Sequence, residues 1–436
     1  MKLVIPELSL VVLIGPAGCG KSTFARKHFR PTEILSSDFF RALVSDDESN
    51  QAASKDAFEL LHAVVAKRLS RRLLTVIDAT NLQRDARKEL LNLAKRYHYL
   101  TTAIVFNLSE EQCLAYDQQR IGRNVGTNVV HNHAQLLKQT LTQLAKESFG
   151  HVYMLSSPEE VKAAIVERQR LPIDRRDEHG PFDIVGDVHG CCEELVTLLC
   201  QLGHQVALGI DAEGRPDFAV TPPAGRKAIF VGDFVDRGPD VPGVLRLVMG
   251  MAAAGHALCV AGNHDDKLMR YLQGHDVKIS HGLAESLAQL APESEAFTQR
   301  VRGFLDSLPS HYLLDGGKLV VAHAGMKEHL RGRASKRVRD FALYGETTGE
   351  TDAAGLPVRL NWAEDYHGKA MVVYGHTPVG TPEWLHHTIN IDTGCVFGGR
   401  LTALRYPERE LVSVPAQRQY CEPGRPFQNV RSDSAS

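Results

Sequence analysis

Eight residues near the start of the chain have types and spacing suited to holding phosphate groups. The run Gly15-Pro-Ala-Gly-Cys-Gly-Lys21-Ser22 matches the pattern G-x-x-x-x-G-K-[ST] and stands between an apolar run and a helical pattern. Glycines there let backbone N–H groups converge on phosphate oxygens, and the helix N-terminus adds partial positive charge. Lys21 would neutralise the β- and γ-phosphates, and Ser22 would ligate Mg²⁺. The pattern predicts a nucleoside-triphosphate site formed by Gly15, Gly18, Gly20, Lys21, Ser22 and Thr23.

Four charged residues downstream indicate transfer of phosphate to an acceptor. Asp38 follows the second apolar run and would accept the proton of an attacking hydroxyl. Arg41 would hold a phosphate of the acceptor. Arg120 and Arg123 would close over the nucleotide and neutralise charge on the transferred group. The alternatives are a helix N-cap for Asp38 and a solvated helix end for the two last arginines.

A second set of residues in the back half has the types that bind divalent metals. Five short apolar runs each end in a Gly-Asp, Gly-His, Gly-Asn-His or similar group. Carboxylate, imidazole and amide ligands suit Mn²⁺, Fe or Ni²⁺, and the set contains no Cys, which argues against structural zinc. Two such metals about 3.5–4 Å apart polarise a phosphoryl group and activate water. The residues of these types at the ends of the five runs include Asp187, His189, Asp233, Asn263, His323 and His376.

Three neighbours of these ligands have predicted roles in phosphate ester cleavage. Arg237 would grip the phosphate. His264 would protonate the leaving oxygen, and Asp236 would orient His264. The alternative for His264 is an ordinary supporting residue.

The elements that must position the front residues alternate between strand and helix. Strands are predicted at Ser9–Ile14, Glu33–Ser37, Leu73–Ile77, Thr102–Phe106 and Val152–Leu155, and helices at Lys21–Phe29, Lys55–Leu69, Asp85–Arg96, Glu110–Arg120 and Ala134–Lys146. Short apolar strands between amphipathic helices predict an α/β domain with a parallel sheet covered on both faces. We expect Arg84 and Arg87 to be exposed helix charges, and we discount His131 and His133 as a metal pair because side chains two apart on a helix diverge.

The remaining chain divides by composition. The charged run around residues 171–180 predicts a linker between a front domain, 1–170, and a back domain, 181–415. The apolar runs of the back domain predict an α/β fold with a β-sandwich flanked by helices. Residues 416–436 are polar and rich in Pro, Gly and Ser, and we expect a loosely ordered tail.

The order of the back motifs resembles the calcineurin-like metallophosphoesterase superfamily. That resemblance implies one metal on Asp187, His189 and Asp233, and a second on Asp233, Asn263, His323 and His376. The whole chain to about Pro415 resembles the bacterial polynucleotide kinase-phosphatase family of RNA end repair. The more specific stretches are His264-Asp-Asp-Lys-Leu-Met-Arg270, Ser280-His-Gly-Leu283, Leu343-Tyr-Gly-Glu-Thr-Thr-Gly-Glu-Thr351, Asn361-Trp362 and Asn390-Ile-Asp-Thr-Gly-Cys-Val-Phe-Gly-Gly399.

This resemblance implies two activities and their cofactors. The front domain would transfer the γ-phosphate of ATP, with Mg²⁺, to 5′-hydroxyl ends, using Asp38 as base. The back domain, with two divalent metals such as Mn²⁺ or Ni²⁺, would remove 2′,3′-cyclic, 2′- or 3′-phosphates, with Asp392 as a substrate-binding residue. RNA ends are implied ahead of DNA, and so is a homodimer. The larger members carry a ligase module, and the chain shows no K-x-D-G lysine, so a separate ligase is expected.

One further departure and two alternatives accompany the resemblance. The predicted lid helix is poor in basic residues, with Tyr116 where an Arg is expected. One alternative is a small-molecule kinase fused to a dinucleoside-polyphosphate or protein phosphatase. The other is a nucleotide-sensing regulator without transferase activity.

Composition places the chain among globular proteins. It has 436 residues, 43% of them hydrophobic and 23% charged, which excludes disordered and collagen-like classes. The first 170 residues hold 23 Lys+Arg and 18 Asp+Glu, and the remainder hold 27 and 34, a modest asymmetry. The apolar runs are too short to span a bilayer, so a cytoplasmic location without membrane contact and with reduced thiols at all eight Cys is expected.

Overall fold

The computed structural model describes residues 1–119, 125–211, 213–352 and 357–424. It contains two compact units: Met1–Leu171 with Arg333–Ser335, and Pro172–Gly332 with Lys336–Ser436. Each unit has hydrophobic clusters of its own. We call them the front unit and the back unit.

The front unit alternates strands and helices along the chain. Its strands are β1 (Lys2–Pro6), β2 (Ser9–Ile14), β3 (Ile34–Ser36), β4 (Thr75–Asp78), β5 (Leu100–Phe106), β6 (His151–Leu155) and β7 (Ile165–Gln169). Its helices are α1 (Lys21–His28), α2 (Ser37–Ser45), α3 (Ser54–Ser70), α4 (Arg84–Arg96), α5 (Glu110–Gln118), α6 (Thr127–Leu144) and α7 (Pro158–Ala163).

Five front strands form the predicted parallel sheet in the order β3-β4-β2-β5-β6. Every residue of β2 is buried, as expected for a central strand covered on both faces. Alternate β2 residues enter different clusters: Leu10 and Val12 pack on one face, and Val11 and Leu13 on the other. Because the strands are parallel, the residues after β2, β3 and β4 meet at one edge, where the phosphate-binding residues lie.

The front unit contains a second, two-stranded sheet that the sequence patterns did not predict. Strand β1 pairs in parallel with β7 from Lys2↔Ile165 to Pro6↔Gln169. Four of the five β7 residues are exposed, so it lacks the apolar run that marks a buried strand. Strand pairing here depends on a partner far away in the chain.

One expectation for α4 is wrong. Arg87 was expected to be exposed, but it is fully buried and makes two bonds to the carboxylate of Glu147, at 2.8 Å and 2.5 Å. Its remaining amino group donates to the carbonyl oxygens of Asn81 and Leu82. A buried guanidinium with all these acceptors fixes the loop after β4. Arg84, one turn earlier, is exposed as expected.

The back unit has more strands than the front unit. Its strands are β8 (Asp174–Arg175), β9 (Phe182–Val185), β10 (Gln205–Ile210), β11 (Pro216–Thr221), β12 (Lys227–Phe230), β13 (Ala257–Cys259), β14 (His311–Leu314), β15 (Leu319–Ala322), β16 (Glu346–Thr351), β17 (Pro357–Leu360), β18 (Met371–Tyr374), β19 (Trp384–Leu385), β20 (Thr388–Asn390), β21 (Arg400–Tyr406) and β22 (Glu410–Pro415). Its helices are α8 (Cys192–Gln201), α9 (Val241–Ala253), α10 (Asn263–Leu272), α11 (Leu283–Leu290), α12 (Glu295–Ser307) and α13 (Lys336–Tyr344).

Two mixed sheets form the predicted sandwich. Their strand orders are β13-β12-β9-β21-β22 and β19-β20-β18-β15-β14-β8. One apolar cluster draws residues from both sheets, including Ile184 and Ile229 from the first and Val321 and Val373 from the second. A larger cluster includes residues of α8 and α9 and of sheet strands, so helices cover the sandwich. The metal-ligand candidates follow β9, β12, β13, β15 and β18 in this arrangement.

Two segments expected to lack structure contain ordered contacts. Within the predicted linker, β8 pairs with β14 at Asp174 and Arg175. Within the predicted tail, the Tyr420 amide donates to Val396 O and its hydroxyl donates to Glu194. The loosely ordered tail is therefore wrong for residues 416–421, and residues 425–436 lie outside the described range. Over the described ranges, no helix has the length and hydrophobicity that crossing a membrane requires.

Candidate active sites

The phosphate-binding loop of the front unit has the backbone shape that the glycines predict. Gly20 precedes α1 with φ of 87°, and Gly18 has φ of 78°, a region that side chains rarely adopt. A Cβ on Gly18 would also overlap the carbonyl oxygen of Cys113. The amide of Gly15 donates to Thr80 O at 3.0 Å, which joins the start of the loop to the residues after β4.

Lys21 lies over this loop. Its ammonium donates to Gly15 O at 2.9 Å and Pro16 O at 2.5 Å, and the residue is buried. A cation held above a ring of backbone amides is the arrangement that binds phosphate oxygens. Ser22 and Thr23 follow in α1, and both line a cavity that Lys21 also lines.

Asp78 completes the cation-binding part of this site. It is the last residue of β4, and its carboxylate accepts a hydrogen bond from Ser22. Burial raises the pKa of Asp78, while Ser22 and Lys21 oppose the rise. An oxygen ligand pair of hydroxyl and carboxylate suits Mg²⁺. The donor set therefore fits the predicted cation at Ser22, and Asp78 lines the same cavity.

Asp38 and Arg41 form an ion pair that lines the same cavity. The strand was predicted to run to Ser37, but α2 begins there, so Asp38 lies in the first helical turn. Arg41 is one turn on and also donates to Glu48 O at 2.8 Å. The cavity has a volume of about 1550 Å³, and its lining includes Lys21, Ser22, Asp38, Arg41 and Asp78. The structure thus brings together the candidate base, the candidate acceptor-binding arginine and the phosphate loop.

The remaining front predictions have mixed outcomes. Arg120 and Arg123 lie outside the described residues. His131 and His133 diverge as predicted: the Nδ1 of His131 lies 3.0 Å from Glu110, while His133 accepts a hydrogen bond from Ala17 N at 3.2 Å. His133 therefore buttresses the phosphate loop, a role for which its sequence position gave no signal.

In the back unit, ligand atoms from separate loops converge. His323 Nε2 lies 2.9 Å from Asn263 Oδ1 and 2.9 Å from His376 Nδ1. The Oδ2 of Asp233 lies 3.4 Å from His323 Nε2 and 3.5 Å from His189 Nε2. Asp233 was the predicted bridge between two metals, and one oxygen of it faces a histidine from each predicted set.

The histidine tautomers direct lone pairs into this cluster. The Nδ1 of His189 lies 2.8 Å from Val235 O, and that of His323 lies 3.1 Å from Val231 O. Because a carbonyl oxygen only accepts, both Nδ1 atoms donate and each Nε2 keeps a lone pair. His323 Nε2 therefore faces the acceptor oxygens of Asn263 and Asp233. A cation between them would satisfy acceptors that converge in this way.

Two buried atoms support the same conclusion. Among the described residues, Asp187 Oδ1 and His376 Nε2 are buried without a hydrogen-bond partner. Burial, together with the carboxylates of Asp392 and Asp233, raises the pKa of Asp187 well above its usual range. Burial also raises the pKa of Asp392, to about 6. The carboxylate, imidazole and amide donors fit the predicted pair of divalent cations.

The backbone at these loops is strained. The residues His189, Asp233, Asp236, Arg237 and His376 all have positive φ, between 44° and 75°. Side chains rarely adopt this region, and each such residue costs about 1–3 kcal/mol. This backbone conformation turns the side chains at the strand ends towards one point, where the candidate metal ligands meet.

Arg237, His264 and Asp236 form a chain of contacts beside the ligands. Arg237 donates to His189 Nε2 at 2.9 Å and to His264 Nε2 at 3.0 Å. His264 Nδ1 lies 2.6 Å from Asp236 Oδ2. Burial and the positive charge of Arg237 lower the pKa of His264, and burial raises that of Asp236 to about 6. Asp236 contacts His264, the residue that it is predicted to orient, and a ring nitrogen of His264 lies within 4.8 Å of ligand atoms of Asp233 and His189.

Sequence reasoning missed two residues that support this site. Asp265 accepts backbone N–H bonds from Gly262, Asp233 and Phe234 and fixes the loop after β12. Burial raises its pKa to about 7. Ser286 donates to Asp236 Oδ1 at 2.6 Å. Asp265 lies within a stretch that the sequence singled out but received no role there, whereas Ser286 is a lone serine in α11, and no local signal marks it.

Family comparisons cover both units. A model described as AAA domain matches residues 10–144, and a model described as calcineurin-like phosphoesterase matches residues 180–380. The two matches account for a kinase-like front unit followed by a metallophosphoesterase.

Curated relatives match the back half of the chain. The bis(5′-nucleosyl)-tetraphosphatase PrpE of Anoxybacillus flavithermus is 44% identical over 251 residues, which cover 56% of this chain and 99% of that protein. The Bacillus subtilis protein of the same name is 43% identical over 245 residues, 55% of this chain and 97% of its own length. That of Halalkalibacterium halodurans is 46% identical over 240 residues, 54% and 94% of the two chains.

Proposed function

Because the chain belongs to the calcineurin-like phosphoesterase family through its back unit, and carries an AAA domain in front, we propose that it is a bifunctional enzyme that heals nucleic-acid ends. It phosphorylates 5′-hydroxyl ends with ATP and removes 2′,3′-cyclic, 2′- or 3′-phosphates, on RNA ahead of DNA. A separate ligase then joins the ends. The observation that carries the proposal is the Asp38–Arg41 pair in a phosphate-loop cavity, on the same chain as a two-metal ligand cluster.

In the front unit, the residues divide the work of phosphoryl transfer. ATP with Mg²⁺ at Ser22 and Asp78 supplies the phosphoryl group. Lys21 balances the charge of its phosphates, and Asp38 accepts the proton of the attacking hydroxyl. Arg41 is already charged and positioned, since Asp38 and Glu48 O hold its guanidinium. Binding an acceptor phosphate would draw Arg41 from Asp38 and bring the acceptor hydroxyl towards that carboxylate.

In the back unit, the cluster supplies positions for two divalent metals, with Mn²⁺ or Ni²⁺ proposed. Metals held by these residues would polarise the phosphoryl group and activate water. Arg237 binds two phosphate oxygens with its forked guanidinium, leaving the two histidine nitrogens it contacts now. His264, held by Asp236, delivers a proton to the leaving oxygen.

A second candidate for the back unit is hydrolysis of dinucleoside tetraphosphates. The relatives that support it are 43–46% identical and are named for that substrate. Both candidates use the same metal centre and Arg237. They differ in the leaving group, which is a nucleoside phosphate for the tetraphosphate and a ribose hydroxyl for an RNA end.

The test is a substrate panel with the full chain. Transfer of labelled phosphate from ATP is measured on 5′-hydroxyl RNA and DNA oligonucleotides and on small hydroxyl compounds. Phosphate release is measured, with Mn²⁺ and Ni²⁺, from 2′,3′-cyclic and 3′-phosphate RNA and from a dinucleoside tetraphosphate. Transfer to RNA together with RNA phosphate release supports end healing. Transfer to small compounds alone, or hydrolysis of the tetraphosphate alone, contradicts it.

Two variants tie each activity to its site. Asp38→Asn keeps the size of the side chain and should lower transfer by about 10²-fold or more, with phosphatase activity unchanged. His189→Ala should do the reverse. Wild-type transfer by Asp38→Asn would remove Asp38 as the base. If the chain binds ATP but transfers phosphate to no acceptor, the nucleotide-sensor alternative holds.

A further inference from the structure

A second cluster of metal-binding side chains lies in the back unit, apart from the His and Asp centre. Sγ atoms of Cys191 and Cys395 and a carboxylate oxygen of Glu194 all lie within 4.8 Å of one another. All three residues are at most 2% exposed. Cys191 immediately precedes α8, Glu194 lies in its first turn, and Cys395 begins the 3₁₀ turn Cys395–Phe397.

Glu194 gives an independent sign of a missing ligand. Its Oε1 accepts hydrogen bonds from Gln417 N at 3.0 Å and from the Tyr420 hydroxyl at 2.8 Å. Its Oε2 is buried and, within the described part of the chain, has no hydrogen-bond partner. A buried carboxylate oxygen without a partner is costly unless a cation or donor completes it.

The two thiols are reduced and lie close together. Cys191 Sγ lies 3.7 Å from His189 O, a weak contact that a thiol makes readily. No disulfide joins the two cysteines, which are both free thiols. Cys192, the next residue, is also buried, but its thiol is not among the atoms of this cluster, so the cluster involves only one of the two adjacent cysteines.

We propose that Cys191, Cys395 and Glu194 bind one divalent cation of the class that prefers sulfur ligands, such as Zn²⁺. Two thiolates and a carboxylate match the ligands that Zn²⁺ and Co²⁺ accept in tetrahedral sites. Each thiol releases one proton to solvent when it binds, so two protons leave for each cation bound. The His and Asp centre contains no sulfur, so the two sites differ in the metals they prefer.

The position of this site gives it a structural role. Cys191 follows the candidate ligand His189 by two residues, and Cys395 follows Asp392 by three. A cation bound here would fasten together the two loops that carry His189 and Asp392, along with the segment that contains Tyr420. It would order the phosphatase site without touching its substrate, and the inference does not depend on which substrate is cleaved.

Cobalt absorption tests the proposal, because sulfur-to-cobalt charge transfer gives a near-ultraviolet band that His and Asp ligands do not. The reduced full chain is stripped of metal and titrated with Co²⁺. Because the His and Asp centre also takes Co²⁺ but gives no such band, we expect a band whose intensity at saturation corresponds to one thiolate-bound Co²⁺ in wild type. We expect this band to be lost in Cys395→Ser. The matched control Cys192→Ser, one residue from the cluster, should keep the band at full intensity.

Three results would overturn the proposal. The first is a wild-type protein without the band, which decides the question even if Cys395→Ser fails to fold. The second is a band that survives in both Cys395→Ser and Cys191→Ser, since other thiols would then be the ligands. The third is a Glu194→Gln variant, which preserves side-chain volume, that binds Co²⁺ as tightly as wild type; we expect at least a tenfold loss of affinity.

Discussion

At the scale of single residues, the back site depends on the absence of side chains as much as on their presence. Gly375, directly before His376, lies against the Asp187 carboxylate, and a Cβ there would overlap Oδ1. The same Cβ would lie 3.3 Å from Asp392 Cβ. This glycine lets two buried carboxylates and a histidine share a small space. The sequence patterns identify the charged residues of the site. The contacts in the structure explain why a residue without a side chain stands at position 375.

Gly375→Ala should therefore damage the phosphatase alone. The added methyl group displaces Asp187, and we expect phosphate release to fall at least tenfold, about 1.4 kcal/mol in the barrier. Phosphate transfer by the front unit should not change. The matched control is Gly303→Ala in α12, where a Cβ meets nothing within 4 Å and should slightly stabilise the helix. Equal phosphate release by Gly375→Ala and wild type would contradict this prediction, because it would show that the loop moves enough to accommodate the methyl group.

Substitution of Asp233 should affect the stability of the protein in opposite directions without metal and with metal. Burial and the nearby Asp265 raise the pKa of Asp233 well above its usual range, so the charged form is costly without cations. Asp233→Asn should leave the chelated protein as stable as wild type or raise its melting temperature. With saturating Mn²⁺, wild type should gain about 2–3 kcal/mol, and the variant should gain little. Calorimetry in EDTA and in Mn²⁺ measures both; equal gains would remove Asp233 as a ligand.

At the scale of elements, the front site is fixed by contacts between helices and loops. The loop after β4 contributes Thr80 O to the phosphate loop and is held in turn by Arg87 from α4. Arg87 reaches Glu147, which follows α6. A helix that carries an exposed charge pattern thus also provides a buried anchor. Helical periodicity alone does not show whether an arginine of this helix is exposed to solvent or buried against an acidic partner.

Arg87→Met should destabilise the front unit by about 3–5 kcal/mol, because it leaves Glu147 charged and buried without a partner. The double variant Arg87→Met/Glu147→Met should recover most of that loss. Arg84→Met, exposed on the same helix, should change stability by less than about 0.5 kcal/mol. Thermal unfolding of the full chain, followed by circular dichroism, measures all three. A loss for Arg87→Met no larger than for Arg84→Met would contradict the anchor.

At the scale of the whole molecule, each site is built from one unit. The residues lining the phosphate-loop cavity all lie between Ala17 and Lys162, and the candidate metal ligands all lie between Asp187 and His376. Neither site draws a ligand atom, among the described residues that form it, from the other unit. The chain therefore combines two phosphate-handling centres that can be altered separately.

This separation predicts two distinguishable unfolding transitions. A non-hydrolysable ATP analogue with Mg²⁺ should raise only the transition that Arg87→Met lowers. Mn²⁺ should raise only the transition whose response Asp233→Asn abolishes. Scanning calorimetry of the full chain with each ligand alone and with both provides the measurement. A single transition that responds to both ligands would mean that the units unfold together.

The sequence determined the two kinds of chemistry, since a phosphate loop and strand-end metal ligands are encoded by short local patterns. It also determined the parallel sheet and the sandwich, because buried strands require apolar runs. The tertiary structure decided what depends on distant partners: the burial of Arg87, the pairing of β1 with β7, the support of Asp236 by Ser286, and the cluster of Cys191, Glu194 and Cys395. These contacts join segments separated by dozens to hundreds of residues, and local periodicity carries no record of a neighbour that only folding brings close.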